Sequence, residues 1–136
     1  MAKDFFSDAV KNALRKDGWR ITNDPLSLEY GDAAFEIDLG AERILGAERA
    51  GERIAIEIKT FIRQSASHEF SASLGQYLSY RHALQHIDPD RQLFLAIPSS
   101  AYHGFFQSRF ATEMIALHKI ALVVYNPEQE VIEAWH

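Results

Sequence analysis

Arg53-Ile-Ala-Ile-Glu-Ile-Lys-Thr-Phe61 is the stretch around which the rest of the chain is read. Ile54, Ile56 and Ile58 alternate with Ala55, Glu57 and Lys59, the period-two pattern of a β-strand with two unlike faces. The isoleucines are expected to face a hydrophobic core. Glu57 and Lys59 then stand together on the other face, beside an alanine that leaves room. A carboxylate and an ammonium so placed suit a metal and the water or phosphate next to it. They equally suit an ion pair on a solvated sheet. The flanking segments have to separate the two.

Upstream, residues 43–49 read as a strand, and Ala50-Gly51-Glu52 is a tight connection that makes an antiparallel hairpin with the quoted strand. Its register is open, and a slip by one residue exchanges the faces. Phe35, Ile37 and Leu39 alternate with Glu36 and Asp38, and residues 43–49 continue that strand. Residues 3–17 are predicted to form a helix, with Phe5, Phe6, Val10, Ala13 and Leu14 at helical spacing and Gly18 as its stop. Lys3, Lys11, Arg15 and Lys16 fall on its polar side, as a solvated face or a contact to a phosphate backbone. A short strand at 19–23, a turn at Asn23-Asp24-Pro25 and an extended segment at 26–30 follow.

Downstream, a polar link at 63–67 leads to a long helix over 68–86, with Ser67 as its N-cap and Phe70, Leu74, Tyr77, Leu78 and Leu84 on its core side. Gln76 and Tyr80, one turn apart, stack on a flank away from that stripe. A buried strand at 91–98, a helix at 100–118, an apolar strand at 121–125 and a final hairpin strand at 131–135 complete the chain. The order αβββαβαββ predicts an α/β fold, a mixed sheet with helices on both sides, as a single domain over residues 1–136.

Composition agrees: 136 residues, 47% hydrophobic and 24% charged, describe one globular domain with its own core. The absence of cysteine excludes disulfides, thiolate metal sites and cysteine nucleophiles. No apolar run approaches the roughly 18 residues of a membrane span, and the start lacks a signal-peptide core. The expectation is a cytoplasmic protein without a membrane role. The formal charge of −5 argues against DNA binding by net charge alone; it leaves room for a local basic patch, a metal or a basic partner. The glycines form no phosphate loop. His82 and His86 have metal-site spacing but no glutamate between them, and read as surface histidines.

The residues of sharpest chemical interest are Asp38, Glu57 and Lys59. The two carboxylates, joined by the backbone carbonyl of Ile58, supply hard oxygen ligands for Mg²⁺ (or Mn²⁺). Such an ion polarises a phosphate and acidifies a bound water, and Lys59 then stabilises the charge that develops. Gln76 and Tyr80 add an amide and a phenol to orient water or grip a phosphate oxygen.

Several segments together resemble one family, over nearly the whole chain. They are Lys3-Asp-Phe-Phe6, Ala9-Val-Lys-Asn-Ala-Leu14, Asp17-Gly-Trp19, Asp24-Pro-Leu26, Ile37-Asp-Leu-Gly-Ala-Glu42, Ile54-Ala-Ile-Glu-Ile-Lys59, Leu74-Gly-Gln-Tyr77 and Val124-Tyr-Asn-Pro127. They are similar to the XisH family, the fdxN-element excision controlling factors, largely cyanobacterial. The resemblance implies a role in DNA recombination, beside a site-specific recombinase and an XisI-type protein partner. The segment order also resembles the PD-(D/E)XK nuclease superfamily, a restriction-endonuclease-like core. That likeness makes Asp38 the first acid, Glu57 the second, Lys59 the lysine, and Gln76 with Tyr80 the Gln-x-x-x-Tyr motif of its RecB-like branch. It also implies a homo-oligomer. Asp38 precedes Glu57 by 19 residues, a long interval for this motif, so Glu36, Glu42 and Glu48 stay open as alternatives. Two functions follow from the resemblance. One is a DNA-acting factor with a metal-dependent endonuclease (phosphodiesterase) site. The other is a non-catalytic accessory that binds a protein partner or DNA on the same fold.

Overall fold

The structure, a computed structural model, describes residues 2–31, 33–35, 43–61 and 65–136. Strands β4 (Arg43–Arg49) and β5 (Glu52–Ile58) form the expected antiparallel hairpin. Ala50 and Gly51 both take positive φ, 51° and 84°, the turn whose twist matches that of the flanking strands. The register runs from Arg49 opposite Glu52 to Arg43 opposite Ile58.

β5 then pairs in parallel with β6 (Gln92–Pro98), which pairs in parallel with β7 (Leu122–Asn126). β8 (Val131–Trp135) closes one edge antiparallel to β7, and β1 (Arg20–Asn23) closes the other against β4. The result is a six-stranded mixed sheet in the order β1-β4-β5-β6-β7-β8. A parallel pair needs a crossover, and α2 (Ala66–Ile87) provides it between β5 and β6.

Helices lie on both faces. Against one, α1 (Ala2–Lys16) packs Ala9, Val10 and Leu14 onto Ile54, Ile56, Ile58, Val123 and Tyr125. Against the other, Phe70, Leu74, Tyr77 and Leu84 of α2 pack onto Ala55, Leu93, Leu95 and Leu122. β5 is therefore central and covered on both sides. The predicted mixed α/β architecture is the observed one.

Local expectations differ at four places. α2 starts earlier than expected, and its N-cap is Ser65, whose side chain accepts from the His68 amide at 3.4 Å; Ser67 lies inside the first turn. The helix expected over 100–118 is broken into α3 (Ser99–His103), a 3-10 turn at Phe105–Gln107, and α4 (Arg109–His118). At Gly104 a Cβ would come within 3.0 Å of the Ser100 carbonyl oxygen, and Ser108 caps the new helix by accepting from Ala111. The break lets Phe106 insert against Phe61 and Phe70, with ring centroids 5.0 and 5.2 Å away. Phe5, expected on the buried stripe of α1, is 49% exposed; its ring lies edge-on to Phe6, which packs against the α1-side core in its place. Finally, β2 (Leu28–Tyr30) and β3 (Ala33–Phe35) pair as a separate two-stranded sheet, and β2 packs on α2. The rest of the expected 35–39 strand lies outside the described residues.

Candidate active site

The alternation read from the sequence holds on both faces of β5. Ile54, Ile56 and Ile58 point into the α1-side core, while Ala55 joins the α2-side core with Glu57 and Lys59 as its polar neighbours along the strand. Glu57 stands opposite Ile44 on β4 and Leu95 on β6. Just past the ladder, the Lys59 amide donates to the Ala96 carbonyl at 3.0 Å. The Tyr125 hydroxyl donates to the Lys59 carbonyl at 3.4 Å from the opposite core. Burial pushes the Tyr125 phenol well above its ordinary pKa, so it stays a neutral donor.

Both charged side chains are buried, each residue 1% exposed, so this is not an ion pair on a solvated face. Lys59 Nζ lies 3.6 Å from a Glu57 carboxylate oxygen. It also donates to Oε1 of Gln76, which α2 delivers from above the sheet. Removing a carboxylate and an ammonium from water costs several kcal/mol per ion before their attraction offsets it. A fold that needed only packing would place apolar residues here.

The other sequence-predicted residues fall as follows. Ile58 sits at the last pair of the β4–β5 ladder, opposite Arg43, so its backbone is next to Glu57 and Lys59 at the end of the sheet. Tyr80 is one turn along α2 from Gln76, but it is buried within the α2-side core rather than standing on a flank. Asp38, Glu36 and Glu42 lie outside the described residues. Glu48 is at the other end of β4, four residues beyond the partner of Glu57 and ion-paired with Arg20, so it is not brought to the site. Among the described residues no three His, Asp or Glu side chains cluster as a metal site, and Glu57 is the described carboxylate of the expected metal ligands.

Lys11, Arg15 and Lys16 of the basic side of α1 are engaged within the chain. Lys11 reaches Asp24 at 3.0 Å, Lys16 donates to the Gln129 carbonyl at 3.0 Å, and Arg15 donates to Asn12. His82 and His86 are exposed, as expected, with rings 4.6 Å apart, and Tyr30 stacks on His86 at 4.5 Å. Sequence reasoning missed Tyr125 as a support of the Lys59 backbone. A tyrosine in the otherwise apolar run Leu-Val-Val-Tyr was the available signal, since a buried hydroxyl needs a partner.

No helix of the described residues is long and apolar enough to cross a membrane. A comparison with curated protein sequences gave no match. Two solved structures are similar over nearly their whole lengths. An XisH family protein from Nostoc punctiforme is 46% identical with a TM-score of 0.90, covering 97% of this chain and 98% of its own. An fdxN element excision controlling factor protein from Anabaena variabilis is 44% identical with a TM-score of 0.90, again covering 97% and 98%. The XisH protein family matches residues 1–133, and the chain belongs to that family.

Proposed function

We propose that this chain is an XisH-type factor controlling excision of a DNA element, and that Glu57, Lys59 and Gln76 are part of a metal-dependent, endonuclease-like site of the PD-(D/E)XK kind. The observation that carries the reading is the buried contact of Lys59 with both Glu57 and Gln76. These are the second acid, the lysine and the glutamine of the pattern, brought together from a strand and the helix that follows it. The name of the Anabaena variabilis neighbour supports the excision context.

In this reading Lys59 is held by two acceptors, so its ammonium is oriented to donate to a phosphate oxygen or to an attacking hydroxide. Gln76 fixes that orientation from α2, and Tyr80 supports the helix one turn further on. Glu57, the Ile58 carbonyl and Asp38 would hold Mg²⁺ or Mn²⁺, and their hard oxygens fit such an ion. When bound, the ion supplies polarisation of the phosphate and acidification of a water. Asp38 precedes β4, whose first pair with β5 is Arg43 opposite Ile58, and this supports it over Glu48 as the first acid. DNA is the substrate, in the cytoplasm, with an XisI-type protein as partner, a site-specific recombinase acting alongside and a homo-oligomer as the working form.

One observation favours a second reading. Glu57 and Lys59 are closed to solvent, so a DNA phosphate reaches them only if covering residues move. A non-catalytic accessory that binds a partner or DNA on this fold requires no such opening. Incubating the full chain with labelled DNA and Mg²⁺ or Mn²⁺, with and without an XisI-type protein, separates the two. Cleavage that disappears in Lys59→Ala and in Glu57→Ala is the expected result. No cleavage under any condition, or cleavage that survives both substitutions, overturns the nuclease reading.

A further inference from the structure

A cleft of about 270 Å³ opens at the other end of the sheet, between the C-terminal half of α2, the start of β6 and the link from α4 to β7. Arg81, Lys119 and Asp90 line it with charge, while the Arg91 guanidinium is turned to Asp88 and the Ile54 carbonyl. Two cations, Arg81 and Lys119, against the one carboxylate of Asp90 leave the cleft positive in a chain whose formal charge is −5.

Arg81 and Arg91 are both held in place. Arg81 Nη1 donates to the carbonyls of His118 and Lys119 at 2.9 and 3.0 Å, and its guanidinium lies 5.4 Å from the Tyr77 ring centroid. Arg91 donates to Asp88 at 3.1 Å and to the Ile54 carbonyl at 2.9 Å. The Tyr77 floor is fixed as well: its hydroxyl donates to the Leu93 carbonyl at 2.8 Å and accepts from the Ala121 amide at 3.2 Å. Lys119 is exposed at the left-handed end of α4, with φ 52°. Among the described residues no carboxylate forms an ion pair with Arg81 or Lys119. The acceptors of Arg81 are neutral carbonyls.

We infer that this cleft is an oxyanion site that takes a phosphate group. A tetrahedral anion suits a cleft lined by a guanidinium and an ammonium, and a guanidinium held in advance loses little freedom on binding. The exposed Gln92 also lines the cleft. The site is separate from the Glu57–Lys59 contact. Gln92 pairs with Ile54, three residues before Glu57 and five before Lys59, which places the mouth of the cleft roughly 10 to 16 Å from that contact along the strand. The inference stands whether or not that contact cleaves DNA.

The phosphate could belong to a free small molecule or to a nucleic-acid strand, and two probes distinguish them. Sodium pyrophosphate is titrated calorimetrically into the full chain, and a short labelled single-stranded DNA is followed by anisotropy. Lys119→Glu is the main variant, because its exposed side chain makes no contact that folding needs. Arg109→Gln, 91% exposed on α4, is the remote control. At least one probe is expected to bind about tenfold more weakly to Lys119→Glu and unchanged to Arg109→Gln. Loss for pyrophosphate assigns a free phosphate compound; loss for DNA alone assigns a strand. If neither probe binds, or if Lys119→Glu binds as the unaltered protein does, the inference is wrong.

Discussion

The two faces of β5 are buried to the same degree and do different things. Toward α1 the strand presents Ile54, Ile56 and Ile58, each 2% exposed or less, in an apolar layer with Val10, Leu14 and Val123. Toward α2 it presents Ala55, Glu57 and Lys59, equally closed to water but ending in a charge pair tied to Gln76. Burial alone therefore does not tell an apolar packing residue from a charged one. The apolar face gains free energy from leaving water. The polar face loses it, and is compensated only through specific partners.

That contrast can be broken most directly at Lys59. Lys59→Met leaves the Glu57 carboxylate buried without its ammonium and is expected to cost about 3–5 kcal/mol in urea unfolding followed by tryptophan fluorescence. Adding Glu57→Leu should restore most of that stability while any DNA processing stays lost. A double variant as unstable as the single one would mean that the polar face holds the fold together. On the other face, Ile56→Ala removes side-chain atoms from a closed layer and should cost about 2–5 kcal/mol by the same measurement, with chemistry at Glu57 untouched. A loss of activity beyond the loss of folded protein would show that the two faces are not independent.

The smallest effect belongs to an ion pair nearer the solvent, which sharpens the comparison with the buried one. Arg53 donates to both oxygens of Asp88, at 2.6 and 2.8 Å. This bond, more than the added Arg91 contact, holds the Asp88 carboxyl below the ordinary carboxylate range, against an opposing push from burial. A carboxyl depressed in the folded state adds stability at pH values above its ordinary range and loses it as pH falls through its folded pKa. The stability difference between the unaltered protein and Asp88→Asn should therefore be small and constant near neutrality, and should vanish in acid. A difference that persists in acid would assign the effect to packing of the loop.

Much of the fold was legible because it rests on short-range rules. Alternation along β5 and the Ala50-Gly51 turn gave the hairpin, and Gly18 ended α1 as its position suggests. What failed was finer. Ser65 and Ser67 are equivalent N-cap candidates by composition, and only the path of the chain into α2 selects Ser65. The aromatic spacing from Tyr102 to Phe110 fits one continuous helix, whereas the insertion of Phe106 between Phe61 and Phe70 requires a break. Tyr80 was placed on a flank because helical spacing sets angles around an axis. It says nothing of how many neighbours surround that axis, and α2 packs on β2 as well as on β6.

For the candidate site, the sequence by itself determined the residue types and their faces: Glu57 and Lys59 together on one side of a strand, Gln76 on the helix that follows. Those follow from chain geometry, which repeats every two residues in a strand and every 3.6 in a helix. Three things were decided by tertiary structure alone: that the pair is buried, that Lys59 meets Gln76, and that Glu48 is at the far end of the hairpin. Each depends on register, crossover and layer stacking, which bring together residues far apart along the chain. In the isolated strand Glu57 and Lys59 are two charges in water. α2, laid over β5, turns them into a buried pair bonded to Gln76.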